Sequence, residues 1–452
     1  MKIIVFDDDP TGSQTVYGCP LLLNWQEETV STGLANASSM LFVLANTRSM
    51  APQKVEITIR EICKSIKQTL QNQKFAYEDI LFVSRGDSTL RGHGVLEPEI
   101  LSQELGPFDA TFHVPSFFEG ARTTIDGKHL LNGLPVHLSN FAADKIFGYS
   151  TSYLPDWLEE KSKGQISSAN VLRLSIEQLE SAIDTDDGME ELCSFLKVLS
   201  QNVSVVVDAT ELSHLSIFAK AVIKLRKEKR FLFRSAASLI SAFAQLPINS
   251  YTPSSLAALR LKNQSLELKG GLIMVGSHVH LADQQLEALF KHTQCESIEL
   301  PVKKISRILD GSLPDILLTD LENIWLAQLK KILISGKTPV LFTSRGELSF
   351  PSFSQRILFG SQLAELMSRL VAKLIPHLGY VISKGGITTQ TFLTQGLNLD
   401  MIELKGQILP GLSMVCPYNE NNLIQIPIIT FPGNLGDSKT LLEAWRLMEN
   451  GT

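Results

Sequence analysis

The sequence lacks any long apolar run. Its first apolar stretch, Ile3–Phe6, ends at three consecutive aspartates and is too short for the core of a signal peptide. No other run approaches the roughly 18 residues that a membrane-spanning helix needs. These absences predict a cytoplasmic protein that has no membrane partner.

Cysteine is also scarce. The chain contains an odd number of cysteines, far apart and without a CxxC pair: Cys19, Cys63, Cys193, Cys295 and Cys416. Structural disulfides and zinc sites use paired cysteines at short or regular spacings. The pattern therefore argues against both and predicts buried thiols in a reducing compartment.

An excess of positive charge is missing as well. The chain has 41 Lys and Arg against 47 Asp and Glu, which gives a formal net charge of −6. Proteins whose main task is to neutralise nucleic-acid phosphates carry a basic surface. The balance argues against a nucleic-acid partner. It leaves a small anionic substrate open, because a few arginines in one cleft can bind an anion.

Two common nucleotide-binding signatures are absent. The segment Ser335-Gly336-Lys337-Thr338 resembles the end of a P-loop, but Lys331 stands where the first glycine of that motif must be. No GxGxxG motif follows an apolar run of strand length. A P-loop nucleotidase and a standard dinucleotide-binding fold are therefore not supported.

What the sequence does contain is an alternation of short β-rich apolar runs with helical patterns. The predicted strands are Lys2–Phe6, Leu41–Ala45, Ile80–Ser84, Ala110–Val114, Val203–Val207, Leu272–Val275, Val340–Thr343 and Gly379–Ser383. Continuous apolar strands that alternate with helices are typical of parallel sheets covered on both faces. The pattern predicts an α/β fold whose ligands bind at the carboxyl ends of the strands.

The length and punctuation predict two domains. At roughly 100–200 residues per domain, 452 residues suffice for two or three. Residues 246–270 contain prolines, serines and asparagines with little strand character, so we expect domains at 1–245 and 271–452 joined by this linker. A further stretch, residues 115–163, is rich in aromatics and lacks periodicity, which predicts an irregular functional segment.

The first candidate site follows the first predicted strand. Its residues are Asp7-Asp8-Asp9-Pro10-Thr11-Gly12-Ser13. Adjacent carboxylates repel one another unless cations or hydrogen-bond donors lie near. At a strand end they indicate metal binding, general-base chemistry or contacts to substrate hydroxyls. A solvated turn is the structural alternative, since Asp, Pro and Gly are common turn residues.

A second candidate site follows the strand Ile80–Ser84. It contains two arginines and an aspartate among glycines and hydroxyl residues, in the order Arg85-Gly86-Asp87-Ser88-Thr89-Leu90-Arg91-Gly92-His93-Gly94. Glycine lets a backbone approach a ligand closely, and arginine can bind a carboxylate with two N–H groups. Anion binding is favoured. A local Asp87–Arg91 ion pair is the alternative, and both can hold at once.

Two glycine turns in the second half are candidates for phosphate binding. One is Lys384-Gly385-Gly386-Ile387-Thr388-Thr389, and the other is Pro432-Gly433-Asn434-Leu435-Gly436-Asp437. A glycine turn that leads into a helix exposes backbone N–H groups where a phosphate can bind. A tight turn that needs a positive φ is the structural alternative.

Taken together, these motifs resemble the four-carbon acid sugar kinase family over nearly the whole chain. The family's D-D-x-T-G motif matches Asp8-Asp9-Pro10-Thr11-Gly12, and its D-S-T-L-R-G motif matches residues 87–92 without a break. Its V-G-S turn matches residues 275–277, its Gly-Gly-x-Thr loop matches residues 385–388, and its late Gly-Asn-hydrophobic-Gly segment matches residues 433–436. Three positions depart from the family: Pro10 replaces leucine, Arg85 replaces lysine, and Ile387 replaces an acidic residue.

The resemblance implies a sugar-acid-binding N-terminal domain, an ATP-binding C-terminal domain and an active site in the cleft between them. It implies ATP-dependent phosphorylation of a terminal hydroxyl of a four-carbon sugar acid, with Mg²⁺ carried by ATP. The implied catalytic residues are Asp8, Asp9 and Asp87; the substrate-binding residues are Arg85, Ser88, Arg91, Gly92 and Arg122; the nucleotide-binding residues are Ser277, Gly385, Gly386, Ile387, Thr388 and Gly433.

Two alternatives stay open at this point. The order Asp7-Asp8-Asp9-Pro10-Thr11 also fits the D-x-D-x-T start of haloacid-dehalogenase-like phosphatases, with Asp7 as nucleophile and Asp9 as acid/base. The second alternative is a sugar-acid and nucleotide-binding protein without turnover, which Ile387 keeps open. The sequence does not fix the sugar acid, the general base, the metal ligands or the oligomeric state.

Overall fold

A computed structural model describes residues 1–9, 16–244, 252–346, 348, 350, 352–418 and 425–450. The chain divides into two compact units, Met1–Ile248 and Asn249–Thr452. Within the described residues, no helix combines the length and the apolar character that crossing a membrane requires.

The first unit is built on a parallel sheet. The strands of this unit are β1 (Lys2–Asp7), β2 (Cys19–Leu22), β3 (Met40–Leu44), β4 (Ile80–Arg85), β5 (Ala110–Val114), β6 (Arg122–Ile125), β7 (Lys128–Leu131), β8 (Leu134–Pro135), β9 (Leu172–Leu174), β10 (Val203–Val207) and β11 (Phe231–Ser235), of which β6, β7 and β8 form a separate small sheet. In space the sheet runs β2-β3-β1-β4-β11-β5-β10-β9, and each neighbouring pair is parallel.

Helices flank this sheet. They are α1 (Glu27–Ala35), α2 (Pro52–Asn72), α3 (Leu96–Leu105), α4 (Leu154–Lys161), α5 (Ile176–Asp184), α6 (Asp186–Val198), α7 (Leu212–Leu225) and α8 (Ala237–Ala244). Every residue of β1, β3, β4, β5 and β11 is buried. Burial on both faces explains why these strands are apolar runs rather than alternating ones.

The strand order places the candidate site. Strands β3 and β4 flank β1 on opposite sides, so the chain changes direction around β1. Parallel sheets bind ligands at the carboxyl ends of the strands beside such a switch point. The residues after β1, β3 and β4 therefore share one edge, and β11 adds the residues after Phe231–Ser235 beside β4.

The predicted irregular segment at 115–163 is more ordered than the sequence indicates. It contains the antiparallel strands β6, β7 and β8 and the helix α4. Trp157 and Leu158 of α4 pack with Tyr149 against Leu90, which belongs to the second candidate motif. The prediction of an irregular stretch was wrong because these strands have only two to four residues, too few for a periodic pattern.

The second unit contains a mixed sheet. Its strands are β12 (Gly271–Val275), β13 (Cys295–Leu300), β14 (Thr338–Thr343), β15 (Tyr380–Lys384), β16 (Met401–Leu409), β17 (Leu412–Pro417) and β18 (Ile428–Phe431). The order is β13-β14-β12-β15-β18-β17-β16. The pairs from β13 to β18 are parallel, and the last two pairs are antiparallel.

Helices of this unit complete its core. They are α9 (Pro253–Ala257), α10 (His280–Phe290), α11 (Val302–Leu309), α12 (Ile316–Ile334), α13 (Phe353–Ala372), α14 (Gly386–Thr391) and α15 (Thr440–Asn450). Leu256, Leu286 and Leu441 bring α9, α10 and α15 together on the sheet residues Ile273 and Ile382. The predicted α/β class, with mostly parallel sheets flanked by helices, is confirmed. The placement of the active site in a cleft between the domains stays a prediction.

Part of the predicted linker, residues 246–251, lies outside the described residues. The rest of the segment to residue 270 contains α9 and an isolated antiparallel bridge between Lys262 and Leu268. Leu256 and Ala257 are buried in the core of the second unit. The described part of this segment therefore packs with the residues that follow it.

Candidate active site

The end of β1 is tied to the end of β3 by one arginine. The Arg48 guanidinium donates to both carboxylate oxygens of Asp8, from Nε at 3.1 Å and from Nη2 at 2.6 Å. Its Nη1 donates to Asp9 Oδ2 at 3.0 Å. The Asp8 side chain is fully buried, whereas that of Asp9 is 24% exposed. Arg48 thus offsets the repulsion between adjacent carboxylates that the sequence raised as a problem.

Asp7 is held separately from its two neighbours. Its Oδ1 accepts a hydrogen bond from Arg85 Nη1 at 3.2 Å, and the residue is 1% exposed. Burial raises the pKa of Asp7 to about 7, against the opposing effect of the Arg85 charge. Asp7 Oδ2 and Arg85 Nε, both buried, have no hydrogen-bond partner among the described residues. The pair is therefore only partly satisfied.

Asp87 lies at the end of β4 and stays ionised. Its Oδ2 accepts from Thr89 Oγ1 at 2.5 Å and from Arg91 Nε at 2.7 Å. Burial would raise the pKa of Asp87, but the charges of Arg48 and Arg91 and the Thr89 hydroxyl outweigh it and lower the pKa to about 2. The local ion pair considered as an alternative is present, and it leaves the Arg91 side chain 25% exposed.

The ordered segment after β5 holds the 87–91 loop in place. His129 Nε2 lies 2.7 Å from the Ser88 carbonyl oxygen, and the Tyr149 hydroxyl donates to the Thr89 carbonyl at 2.8 Å. The Arg91 guanidinium stacks 4.8 Å from the centre of the Phe141 ring. These contacts fix the backbone of the loop and the direction of Arg91, which a binding site requires.

A buried network lies beneath the same loop. Arg234 Nη1 donates to Glu97 Oε2 at 2.6 Å and to Ser84 Oγ at 2.7 Å. Thr47 Oγ1 donates to Glu97 Oε1 at 2.6 Å. Gly86 packs directly on Arg234, because a Cβ there would lie 2.1 Å from Arg234 Nη2. The network joins the ends of β3, β4 and β11 to the start of α3.

A pocket opens beside Asp87 and Arg91. Its lining residues are Gly86, Asp87, Leu90, Arg91, Gly94, His113, Pro115, Leu154, Trp157, Leu158, Arg234 and Ser235. His113 is 5% exposed, and neither ring nitrogen has a hydrogen-bond partner among the described residues. Burial, with a smaller effect of the Arg234 charge, lowers the pKa of His113 to about 3. The neutral imidazole can offer one donor and one acceptor to a polar ligand.

In the second unit, the turns after β12, β15 and β18 meet closely. A Cβ on Gly276 would lie 2.0 Å from Thr388 Oγ1. A Cβ on Gly433 would lie 2.7 Å from Ser277 Oγ, and one on Gly385 would lie 3.4 Å from the Ser277 nitrogen. Gly385 also has a φ of +119°, a backbone conformation that side chains disfavour. Glycine is thus required at position 276 for the close approach to Thr388 and at position 385 for the positive φ.

These turns present backbone donors without protein acceptors. The sheet pairing continues to Gly276, whose N–H donates to the Lys384 carbonyl, and to Gly385, whose N–H donates to the Phe431 carbonyl. Beyond these bonds, the N–H groups of Ser277, Gly386 and Gly433 have no acceptor among the described residues. Adjacent free N–H groups at strand ends form a concavity suited to an anion.

The two sites lie in regions that match two known domain families. Residues 3–243 match the profile of a sugar-binding N-terminal domain, and residues 272–441 match that of a nucleotide-binding C-terminal domain. The chain belongs to the four-carbon acid sugar kinase family. The Arg-rich strand edge therefore lies in the sugar-binding domain, and the glycine turns lie in the nucleotide-binding domain.

Among curated proteins, the chain is similar to a D-erythronate kinase from Heliobacterium modesticaldum, with 22% identity over 229 residues. The match covers 48% of this chain and spans only half the length of that relative.

Two solved structures share the fold. A Salmonella typhimurium LT2 protein, named as a candidate tRNA synthase, matches with a TM-score of 0.68 and 16% identity, with 99% of each chain covered. The Haemophilus influenzae protein HI1011 matches with a TM-score of 0.64 and 17% identity over 98% of this chain and 99% of its own. At these identities the likeness shows the fold alone.

In the sugar-binding domain, the structure gathers several of the predicted residues. Gly92 lies close to Asp8, because a Cβ on Gly92 would be 3.1 Å from Asp8 Oδ2. The charges of Asp87 and Arg91 act on the guanidinium of Arg122. Arg122 is half-buried, which lowers its pKa, and its Nε has no partner among the described residues. The family residues 10–13 lie outside the described residues.

Among the predicted nucleotide-binding residues, Ile387 and Thr388 lie in α14. The Ile387 side chain is 60% exposed. Thr388 is buried, and its hydroxyl packs on Gly276 instead of facing solvent. The turns themselves contain the other four predicted residues, Ser277, Gly385, Gly386 and Gly433. Ser277, Gly386 and Gly433 present backbone N–H groups, and the glycines leave room because they have no side chain.

Sequence reasoning missed Arg48, His113 and Arg234. Arg48 lies in a short turn after β3. A charged residue that closely follows a strand is the signal that could have identified it. Arg234 lies within β11, a strand that was not predicted. His113 lies within the predicted strand β5, but a single histidine in an apolar run gives no functional signal.

Proposed function

We propose that the chain is an ATP-dependent kinase that phosphorylates a terminal hydroxyl of a four-carbon sugar acid of the erythronate, threonate or 3-oxo-tetronate type. The observation that carries this is a buried guanidinium nitrogen without a partner among the described residues, Arg122 Nε, on an arginine that feels the charges of Asp87 and Arg91. Buried donors without acceptors are costly, and a substrate carboxylate would satisfy them.

The arginines would bind the acid end of the substrate. Arg91 is held by Asp87 and Phe141 yet keeps part of its surface exposed, so it can bind a carboxylate without reorganising. Arg85, Arg91 and Arg122 would share the negative charge. Ser88, Gly92 and His113 would contact the substrate backbone and its hydroxyl groups.

A carboxylate would orient the attacking hydroxyl and accept its proton. Asp8, Asp9 and Asp87 are the candidates, and we favour Asp87 because it lines the pocket. Phosphoryl transfer depends mainly on positioning and charge neutralisation, so a carboxylate with a low pKa can still act by holding the hydroxyl in line. Asp8 is less suited, since Arg48 occupies both of its oxygens.

The glycine turns of the second unit would bind the ATP phosphates through the N–H groups of Ser277, Gly386 and Gly433. Magnesium would enter with the phosphates, since Mg²⁺ in kinases usually keeps several waters and binds substrate phosphates together with one or two carboxylates. Among the described residues, no group of three or more His, Cys, Asp or Glu side chains is placed to hold a metal ion. We therefore treat Mg²⁺ as part of the MgATP substrate, where it neutralises phosphate charge.

The phosphatase alternative is disfavoured by the state of Asp7. A nucleophilic aspartate must reach the substrate, but Asp7 is 1% exposed and bonded to Arg85. The two matched profiles also describe sugar and nucleotide binding, not a phosphatase.

Screening for ADP release tests the proposal. Purified protein with MgATP is offered D-erythronate, threonates, 3-oxo-tetronates and longer sugar acids in a coupled assay. We expect ADP formation that depends on one of the four-carbon acids. Binding of acid and ATP without ADP formation would support the non-catalytic alternative, and phosphatase activity without ATP dependence would support the phosphatase.

A further inference from the structure

Lys384 is a fully buried lysine at the centre of the nucleotide-binding turns. It is the last residue of β15, and its Nζ donates to the Pro432 carbonyl oxygen at 3.0 Å. The ammonium also lies 3.8 Å from the centre of the Phe431 ring. Among the described residues, no carboxylate lies within 4.0 Å of Nζ. A buried ammonium held only by a carbonyl and a ring is incompletely compensated.

The charged surroundings of Lys384 are sparse. The neighbouring strands β12 and β18 and the helix α14 carry no charged residue. The charge of Arg345, two residues after β14, acts on the lysine, but Arg345 is itself paired with Asp283 at 2.9 Å, and His278 contacts Thr343. Burial first, and the Arg345 charge second, lower the pKa of Lys384 to about 7. An anion nearby would favour the protonated lysine.

The bond to Pro432 sets the direction of the next peptide group. In a trans peptide the C=O and N–H groups point in opposite directions. Because the Pro432 carbonyl points toward Lys384, the Gly433 N–H points away from it, out of the core. Gly433 is the residue that packs on the Ser277 hydroxyl, and its N–H has no acceptor among the described residues.

We propose that Lys384 is a positioning residue for the nucleotide: its buried ammonium holds the Pro432 carbonyl inward, directs the Gly433 N–H toward the bound phosphates and places a positive charge beneath them. The inference rests on the proposed function only in that the second unit binds ATP. If bound phosphates favour the protonated lysine, protonation of Lys384 must favour phosphate binding to the same extent, because thermodynamic linkage is reciprocal.

Binding measurements on Lys384→Met test this. Calorimetry compares ADP with adenosine, which lacks phosphates, for the unaltered protein, the variant and the control Lys337→Met, which removes an exposed lysine of the same unit. We expect Lys384→Met to weaken ADP binding by about tenfold to hundredfold and to leave adenosine binding within about twofold. We expect the control to bind both as the unaltered protein does.

Either of two results would overturn the inference. One is unchanged ADP affinity in folded Lys384→Met, and the other is an equal loss of ADP and adenosine, which would indicate a general packing defect. Failure of the unaltered protein to bind ADP would overturn the proposed function together with the inference. Unchanged binding by the variant overturns the inference alone.

A second measurement needs no variant that can misfold. ADP binding by the unaltered protein at about pH 8, in buffers of different protonation enthalpy, reports proton uptake. About nine in ten Lys384 side chains are neutral at that pH if the pKa is about 7. Phosphate groups are already ionised there. We expect uptake of nearly one proton per ADP, reduced in Lys384→Arg, and an uptake of zero would contradict the coupling between phosphate binding and protonation of Lys384.

Discussion

Arg48 binds Asp8 through two hydrogen bonds of 3.1 and 2.6 Å, across 40 residues of sequence. The Asp8 side chain is fully buried and the Arg48 side chain is 23% exposed. This contact fixes the turn after β1 to the turn after β3, at the edge of the sheet where we propose that the sugar acid binds.

Replacing Arg48 by methionine leaves a buried carboxylate without its partner. We expect the free energy of unfolding, measured by urea denaturation, to fall by about 2–4 kcal/mol. The matched control is Arg60→Met, which removes an arginine from exposed pairs with Glu56 and Glu104 and should change the stability much less. Equal losses in the two variants would contradict the structural role of Arg48.

Asp7 predicts a specific pH dependence of stability. Burial raises its pKa in the folded protein to about 7, above the ordinary value of 3.8. Its contribution is therefore fully present below about pH 4 and is lost as the pH rises through about 7. We expect Asp7→Asn to gain stability relative to the unaltered protein between about pH 5 and about pH 8, measured by urea unfolding across that range.

The control for this prediction is Asp184→Asn, which changes an exposed carboxyl at the end of α5. Its stability curve should run parallel to that of the unaltered protein. A parallel curve for Asp7→Asn would show that Asp7 is ionised throughout the range.

Asp87→Asn tests the assignment of the proton acceptor. We expect kcat for sugar-acid phosphorylation to fall by about 10²–10⁴-fold while KM for ATP changes little, because the amide cannot accept the hydroxyl proton. Asp126→Asn is the control, since Asp126 is 77% exposed and pairs with Arg173 in the same unit. A kcat within about threefold of normal would transfer the role to Asp8 or Asp9.

Gly276→Ala tests the close approach of the nucleotide turns. The added Cβ would lie 2.0 Å from Thr388 Oγ1 and 3.1 Å from Thr388 Cβ, so α14 must shift. We expect ADP affinity, measured by calorimetry, to fall by more than about tenfold. Gly360→Ala, on an open face of α13 where the added Cβ meets nothing within 4 Å, should bind ADP normally. Equal affinities would contradict this geometry.

How far the sequence predicts the fold depends on the strand. Ala110–Val114 and Val203–Val207 have the predicted bounds, because both are short runs rich in β-branched and aromatic residues between turns. The central strand β11, Phe231–Ser235, was missed, since Arg234 interrupts a short run that follows a highly charged stretch. A buried arginine is tolerated there only because Glu97 lies opposite.

The same limit applies to the candidate site. Motif spacing predicts that the residues after β1 and β4 act together, because parallel neighbours end at one edge of a sheet. It does not predict that Arg234 contacts Ser84, 150 residues away, or that Arg48 binds Asp8. Those contacts depend on strand order, which local patterns do not contain.

We expect the first unit to bind the sugar acid and the second unit to bind the nucleotide, each through its own residues. Calorimetric binding of D-erythronate and of ADP to Arg91→Ala and to Gly276→Ala tests this expectation. Arg91→Ala should lose the acid and keep ADP, while Gly276→Ala should lose ADP and keep the acid. Loss of both ligands in either folded variant, or retention of the acid by Arg91→Ala, would contradict it.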